Sequence, residues 1–466
     1  MMHWKNLLSQ TRVRELFEGD PSQRVPGDIR SPFDQDYGRA VFATPTRRLQ
    51  DKAQVFPLEP HDAVRTRLTH SLEVSSIARG LGEKAERFIR EERGDHSAIL
   101  GAIPVIAATC ALIHDIGNPP FGHAGESAIA EWFANRKKLF ASFPGCCEEQ
   151  RLSSQAAQDF LKFEGNAQTQ RLLSSLQMLT DRYGLNLTSG TLSASLKYTV
   201  PSNRIASDNA GAKKHGYFAS ENELVYRLKQ EVGTGDARNP ITFLVEAADD
   251  IAYATVDLED GIKKKCLDWD TVERHLRSDA PGKATDDILW LAHEKIDPAN
   301  FVGTQRDEAL SIGFRTYASI VLTNAAMESF MRNYDLIMAG RYSQSLLKDS
   351  NASEVLSCLK WIGRRYVYSS QQTLKLELMG RRVISDLLTL FWDGAKYVGK
   401  SENLPPFSER ALSLISHNYR SVCEDNIKGV LGGLPPDYFR MQLATDWVCG
   451  MTDTFAVTLH KELFNG

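Results

Sequence analysis

Residues 111–126 read Ala-Leu-Ile-His-Asp-Ile-Gly-Asn-Pro-Pro-Phe-Gly-His-Ala-Gly-Glu. An apolar stretch closes on the adjacent pair His114-Asp115 and runs at once into a Gly/Pro turn. Proline lacks a backbone donor and pushes its preceding neighbour out of the helical region, so Gly117-Asn118-Pro119-Pro120 predicts the end of a helix. The His-Asp pair then stands at a helix C-terminus, facing whatever the turn encloses. His123 and Glu126 follow shortly after and add two more groups able to exchange protons or bind metal. That arrangement builds a metal site better than it builds a core.

Further ligands lie at a distance along the chain. His70 falls in Arg65-Thr66-Arg67-Leu68-Thr69-His70-Ser71-Leu72-Glu73-Val74, a segment of helical periodicity, and Asp249 in Leu244-Val245-Glu246-Ala247-Ala248-Asp249-Asp250-Ile251-Ala252-Tyr253. Two imidazoles and two carboxylates (His70, His114, Asp115, Asp249) suit manganese, or magnesium as a poorer partner for nitrogen. No cysteine joins them, which argues against a thiolate zinc or an iron–sulfur centre. Steps of four along a helix separate Asp249 from its neighbour: Asp249, Tyr253 and Asp257 share one face, whereas Asp250 leads to Ala254 and Leu258. The first stripe is the one expected to face a polar cavity, with Asp250 in support.

The surrounding chain reads as helical. Periodic patterns cover 70–92, 99–114, 151–180, 222–232, 240–259, 305–339, 353–366, 371–397, 408–424 and 437–463, and an all-α fold follows. Residues 1–16 suggest a short amphipathic helix and 17–45 an irregular arm. Residues 185–220, rich in Ser, Thr, Asn, Gly and Lys, read as a long functional loop. Val200 and residues 363–370 are the places for a short β-hairpin. The chain has 466 residues, 42% hydrophobic and 24% charged, enough for a large buried core. Seven scattered cysteines form no disulfide framework, and there is neither an apolar run of ~18 residues nor a signal-peptide pattern, so a cytoplasmic protein with no membrane partner is expected. A net charge of −4 excludes a globally basic nucleic-acid binder. No Gly-x-x-x-x-Gly-Lys-Ser/Thr loop is present, which excludes a P-loop nucleotide site.

The phrase His114-Asp115-Ile116-Gly117-Asn118-Pro119-Pro120-Phe121-Gly122-His123 resembles the HD-domain phosphohydrolases, and within them the deoxyguanosine triphosphate triphosphohydrolases. Glu164-Gly165-Asn166-Ala167-Gln168, Leu196-Lys197-Tyr198, Gly216-Tyr217-Phe218, Glu246-Ala247-Ala248-Asp249-Asp250-Ile251 and Gly450-Met451-Thr452-Asp453 extend the likeness over nearly the whole chain. The resemblance implies an HD-type helical core over 46–270, a helical region over 271–466 completing the nucleotide pocket and oligomer contacts, and an N-terminal helix and arm over 1–45. It implies a metal held by His70, His114, Asp115 and Asp249. It also implies hydrolysis of a deoxynucleoside triphosphate, dGTP favoured, at the α-phosphorus, releasing tripolyphosphate.

His123 is the candidate to protonate the leaving oxygen or steer the nucleophile, with Glu126 orienting it; this is similar to the family's His/Glu pair. Arg67, one turn before His70, is the expected phosphate contact nearest the metal, joined by Asn166, Lys197, Tyr198 and Lys213 or Lys214. Tyr253 and Asp257 match family residues that pack on the deoxyribose and bond its 3′-hydroxyl, and Gln50 matches another that touches that hydroxyl. Glu377, in Leu376-Glu377-Leu378-Met379-Gly380, resembles the guanine-reading carboxylate. A homo-oligomer, hexameric in the long-chain branch, is implied by resemblance alone. Basic clusters at 263–265, 364–365 and 381–382 offer single-stranded DNA a place as an effector. A broad deoxynucleotide or monophosphate hydrolase stands as an alternative, as does a nucleotide or DNA sensor without turnover. No role is assigned to 450–453.

Overall fold

Ser31 Oγ accepts from the Asp34 amide at 3.1 Å while Asp34 Oδ2 accepts from the Ser31 amide at 3.2 Å. This reciprocal cap, with proline at the first helical position, starts α1 (Pro32–Phe42). The expected irregular arm therefore contains a helix, and Ser31-Pro32-Phe33-Asp34 carried the signal for it. The computed structural model describes residues 1–19, 27–58, 64–177, 182–294, 303–401, 404–429 and 431–464; the rest of the expected arm at 20–26 and the end of the 151–180 pattern lie outside them.

Thr66 and Thr69 form a second reciprocal cap that starts α2 (Arg67–Arg87). Then come α3 (Ala102–Ile113), α4 (Gly122–Ala134), α5 (Gly165–Arg171), α6 (Ser189–Ala194), α7 (Pro240–Lys263), α8 (Thr304–Arg332), α9 (Gln371–Ala395), α10 (Pro436–Cys449) and α11 (Asp453–Phe464). Among the described residues β pairing is confined to three isolated bridges, Arg12 with Thr188, Ala53 with Thr66 and Pro201 with Tyr217. The fold is all-α. No helix among the described residues is long and apolar enough to cross a membrane.

Two expectations fail here for packing reasons. Residues 363–370 form a wide helical turn, Gly363–Tyr368, instead of a hairpin. Val367 is fully buried there, and a Cβ added to Gly261 of α7 would come within 2.6 Å of its Cγ2, so tertiary fit overrides a strand-like Tyr-Val-Tyr pattern. At Val200 the neighbouring bridge, Pro201 with Tyr217, is parallel, which a hairpin cannot make. Residues 185–220 are not one loop either. They contain α6, begun by the Thr188 side chain accepting from the Thr191 amide, with its Ser and Thr residues buried.

The core divides around α3. Its residues Ala102, Ile103, Ile106, Ala107, Cys110 and Ala111 belong to a cluster shared with α2, α7 and α8. Leu112 and Ile113 belong to another, built with α4, α9 and α10. His114 and Asp115 thus emerge where two cores meet. A buried ion cluster ties the second of them together: Arg171 of α5 binds Asp446 of α10 at 2.8 Å and Glu221 at 3.0 Å. Gln168 Nε2 adds a further bond to Asp446 Oδ1 at 2.9 Å.

Candidate active site

The turn after α3 is shaped by close approaches that admit only glycine. A Cβ on Gly117 would lie 2.2 Å from Gly165 O, and one on Gly165 would lie 2.2 Å from Asn118 Oδ1. The turn and the start of α5 therefore touch backbone to backbone. Phe121 and Gly122 both take left-handed backbone, with φ 62° and 56°, and this reversal starts α4. At Gly122 a side chain would also meet the Arg67 guanidinium, 2.6 Å from the Cβ position.

His70 of α2, His114 at the end of α3 and Asp249 of α7 converge, with one ligand atom of each within 4.8 Å of the others. Asp249 Oδ1 stands 3.4 Å from both His70 Nε2 and His114 Nε2. Asp115 Oδ1 lies 3.6 Å from His114 Nε2, accepts from Asn118 Nδ2 at 2.7 Å, and leaves Oδ2 to an ion pair with Arg67. Lys197 Nζ binds Asp249 Oδ2 at 3.0 Å. His114 Nδ1 donates to Ala111 O at 2.6 Å, which fixes its tautomer and aims Nε2 at the cluster.

The electrostatics agree with a site for a cation. Burial pushes the His114 imidazole down, but Asp115 and Asp249 outweigh it and lift it to about 9. Burial alone would raise the Asp249 carboxyl, yet Lys197 and His114 hold it well below the usual range. Arg67 and His114 do the same for Asp115 against its burial. The Nε2 atoms of His70 and His114 are buried and without a hydrogen-bond partner. Leaving such a group unpaired costs about 1–3 kcal/mol, so the donor set fits a divalent metal ion: imidazole nitrogens at hand, carboxylates ionised, ring orientation fixed.

On the first turn of α4, His123 Nδ1 donates to Glu126 Oε2 at 2.6 Å, and Glu126 Oε1 accepts from the Gly165 amide at 2.7 Å. The Glu126 side chain is 9% exposed and that of His123 is 81% exposed, so a held carboxylate presents an accessible imidazole. The hydrogen bond that its ring N–H donates to Glu126 raises the His123 imidazole above its ordinary value.

The remaining candidates spread around this centre. A cavity beside His114 and Asp249 is lined by Asn166 and Lys197, and the Asn166 amide donates to Glu164 at 2.7 Å. Tyr198 is buried beneath Lys213, whose ammonium lies 5.9 Å from the ring centroid, while Lys214 pairs with Glu164 at 2.6 Å. Tyr253 stacks on Tyr368 at 5.6 Å and 9°. Asp257 is buried with Oδ1 unpartnered and Oδ2 accepting from the Tyr368 hydroxyl. Asp250 turns away to Lys360 at 2.6 Å. Gln50, exposed in the turn Leu49–Asp51, and Glu377, half-buried on α9, make no hydrogen bond or ion pair with the metal-type cluster among the described residues. Tyr368 and Lys52 were not anticipated, and nothing in their local sequence marks them; Glu164 stood in a family-like phrase, but its bonds to Asn166 and Lys214 were not anticipated. Of the basic clusters, Lys263 pairs with Glu259, Arg381 with Glu131 and Arg382 with Asp386, while Arg364 and Arg365 are exposed.

A helical core with His, His-Asp and a distant Asp around one point defines an HD-domain protein, and the HD domain family model matches residues 67–162. The chain is 37% identical to the deoxyguanosinetriphosphate triphosphohydrolase-like protein of Listeria innocua over 99% of each chain. It is 34% identical to the deoxyguanosinetriphosphate triphosphohydrolase of Serratia proteamaculans over 94% of each, and 32% identical to that of Klebsiella pneumoniae over 97% of each. The chain belongs to the deoxyguanosinetriphosphate triphosphohydrolase family.

Proposed function

We propose that this protein hydrolyses a deoxynucleoside triphosphate, dGTP by preference, to the deoxynucleoside and tripolyphosphate, using Mn2+ or Mg2+ at His70, His114, Asp115 and Asp249. The observation that carries this reading is the pair of buried, unpartnered imidazole nitrogens converging on Asp249, one turn of chain from the His123–Glu126 pair. When bound, the metal supplies charge neutralisation at phosphorus and a water of lowered pKa. Glu126 orients His123 and keeps its imidazole protonated, so His123 Nε2 delivers the proton to the leaving 5′-oxygen. Arg67 and Lys197, which here neutralise Asp115 and Asp249, share their charge with the phosphates when substrate arrives. Asn166, Tyr198, Lys213 and Lys214 extend that basic wall for the outer phosphates.

The Tyr253 ring offers a face to the deoxyribose, and the unpartnered Asp257 Oδ1 offers an acceptor to its 3′-hydroxyl, with Gln50 as a second contact. Glu377 suits the N1–H and amino edge of guanine. Product analysis on each dNTP alone, on all four together, and on GTP and dGMP, with either metal, tests the reading. Tripolyphosphate from dGTP but not GTP is the expected result; pyrophosphate or orthophosphate would overturn the site of attack. Arms containing single-stranded oligonucleotides and a sizing column test an effector and a hexamer.

A further inference from the structure

Gly450-Met451-Thr452-Asp453 runs from the end of α10 into the first residue of α11 and supplies nothing to the chemistry above, yet it presses on the turn that carries it. Asp453 is 2% exposed. Its Oδ1 accepts from the Phe121 amide at 2.9 Å and its Oδ2 from the Ala53 amide at 2.9 Å. An acidic residue at a helix start ordinarily serves its own helix. Here Thr452 does that, its hydroxyl accepting from the Phe455 amide at 3.3 Å, and Asp453 gives both oxygens to other segments. One of them is the amide of a left-handed residue, a conformation that costs about 1–3 kcal/mol and persists only where its surroundings enforce it.

The neighbouring contacts have the same sense. Lys52 Nζ donates to Asn118 O at 2.5 Å and to Cys449 O at 3.0 Å, while Cys449 Sγ donates to Gly117 O at 3.1 Å. Arg48 reaches Gly450 O at 2.8 Å and Thr454 reaches Asp51 at 2.6 Å. The chain from 48 to 53 continues this bracket to the start of α2, where Lys52 O accepts from the Arg67 amide at 2.9 Å.

We infer that Asp453, backed by Lys52, is a positioning residue for the proposed phosphohydrolase reaction. It pins Phe121 in its left-handed state, sets where α4 presents His123 and Glu126, and through Ala53 registers the Gln50 segment against α2. It acts through His123 and touches no reacting atom. The inference rests on the proposed function, but part of its test does not.

Asp453→Asn keeps the shape and can accept only one of the two amides. Amide exchange read by mass spectrometry should then quicken in the peptide over 117–124 and stay unchanged over α2 and α10. In the manganese-loaded enzyme kcat for dGTP should fall about a hundredfold, the scale of a misplacement near 1 Å, with KM and manganese affinity little changed. Unchanged exchange, unchanged kcat, or faster exchange throughout the protein would each overturn the role. If the wild-type protein releases no tripolyphosphate, the proposed function fails on its own, while exchange at 117–124 still decides whether Asp453 holds the turn. Should the Asn variant not fold, Lys52→Met tests the bracket from its other side by the same local pattern.

Discussion

Two of the buried clusters of charge in this fold differ in what is left over. Around Arg171 almost everything is matched: its guanidinium serves Asp446 and Glu221, Gln168 adds a donor to Asp446, and Ser220 completes Glu221. Among the described residues, what lacks a partner there is neutral: the carboxamide oxygens of Gln168 and of Gln442, whose Nε2 donates to Ser220. Around His70 and His114 three ring nitrogens are buried without partners beside two ionised carboxylates. A matched cluster holds helices together; one with unused valence is built to receive something. Burial and charge alone do not separate the two, but hydrogen-bond completeness does.

The largest contrast should come from removing one member of each. His114→Ala should abolish metal-dependent turnover in the product assay while moving the urea midpoint little, since it relieves a buried, unpaired nitrogen. Asp446→Ala should cost about 3–5 kcal/mol in urea unfolding, because it strands the Arg171 charge in the interior. A midpoint shift for His114→Ala as large as that for Asp446→Ala would erase the distinction. Next in size, His123→Ala should lower kcat by about 10²–10⁴ and leave metal-induced stabilisation intact, measured by thermal shift with added manganese. Smaller again, Tyr368→Phe removes a hydroxyl worth about 1 kcal/mol to Asp257 and should weaken dGTP binding several-fold, visible in KM.

The subtlest effect is on pH. Glu126 raises His123, and in the proposed mechanism the protonated imidazole is the active form, so activity should be full at lower pH and fall as pH rises through that raised value. The alkaline limb of the kcat profile should therefore lie above the ordinary imidazole value of 6.5. Glu126→Gln should bring it down.

Much of this was legible because it is local. The turn 117–122 announces itself through Gly and Pro, and the helices at 222–232 and 240–263 follow their periodicity. The i, i+4 rule separated Asp249, which faces the imidazoles, from Asp250, which faces Lys360. What stayed hidden depends on distant partners. Tyr368 meets Asp257 across more than a hundred residues, and Asp453 meets Phe121 across more than three hundred. A wide helical turn at 363–368 exists because Val367 fits against Gly261, a fact no window of sequence contains. Arg67 was expected to await phosphate; its ion pair with Asp115 needed coordinates.

One consequence of the placement of α3 remains. This helix is a party wall: its shaft is shared by one core and its last turn by the other, and His114 is the next residue. Melting of either half would thus disturb a ligand of the proposed metal site. Loading with manganese should therefore act as a lock on both sides at once, slowing protease cleavage in segments packed on α8 as much as in those packed on α10.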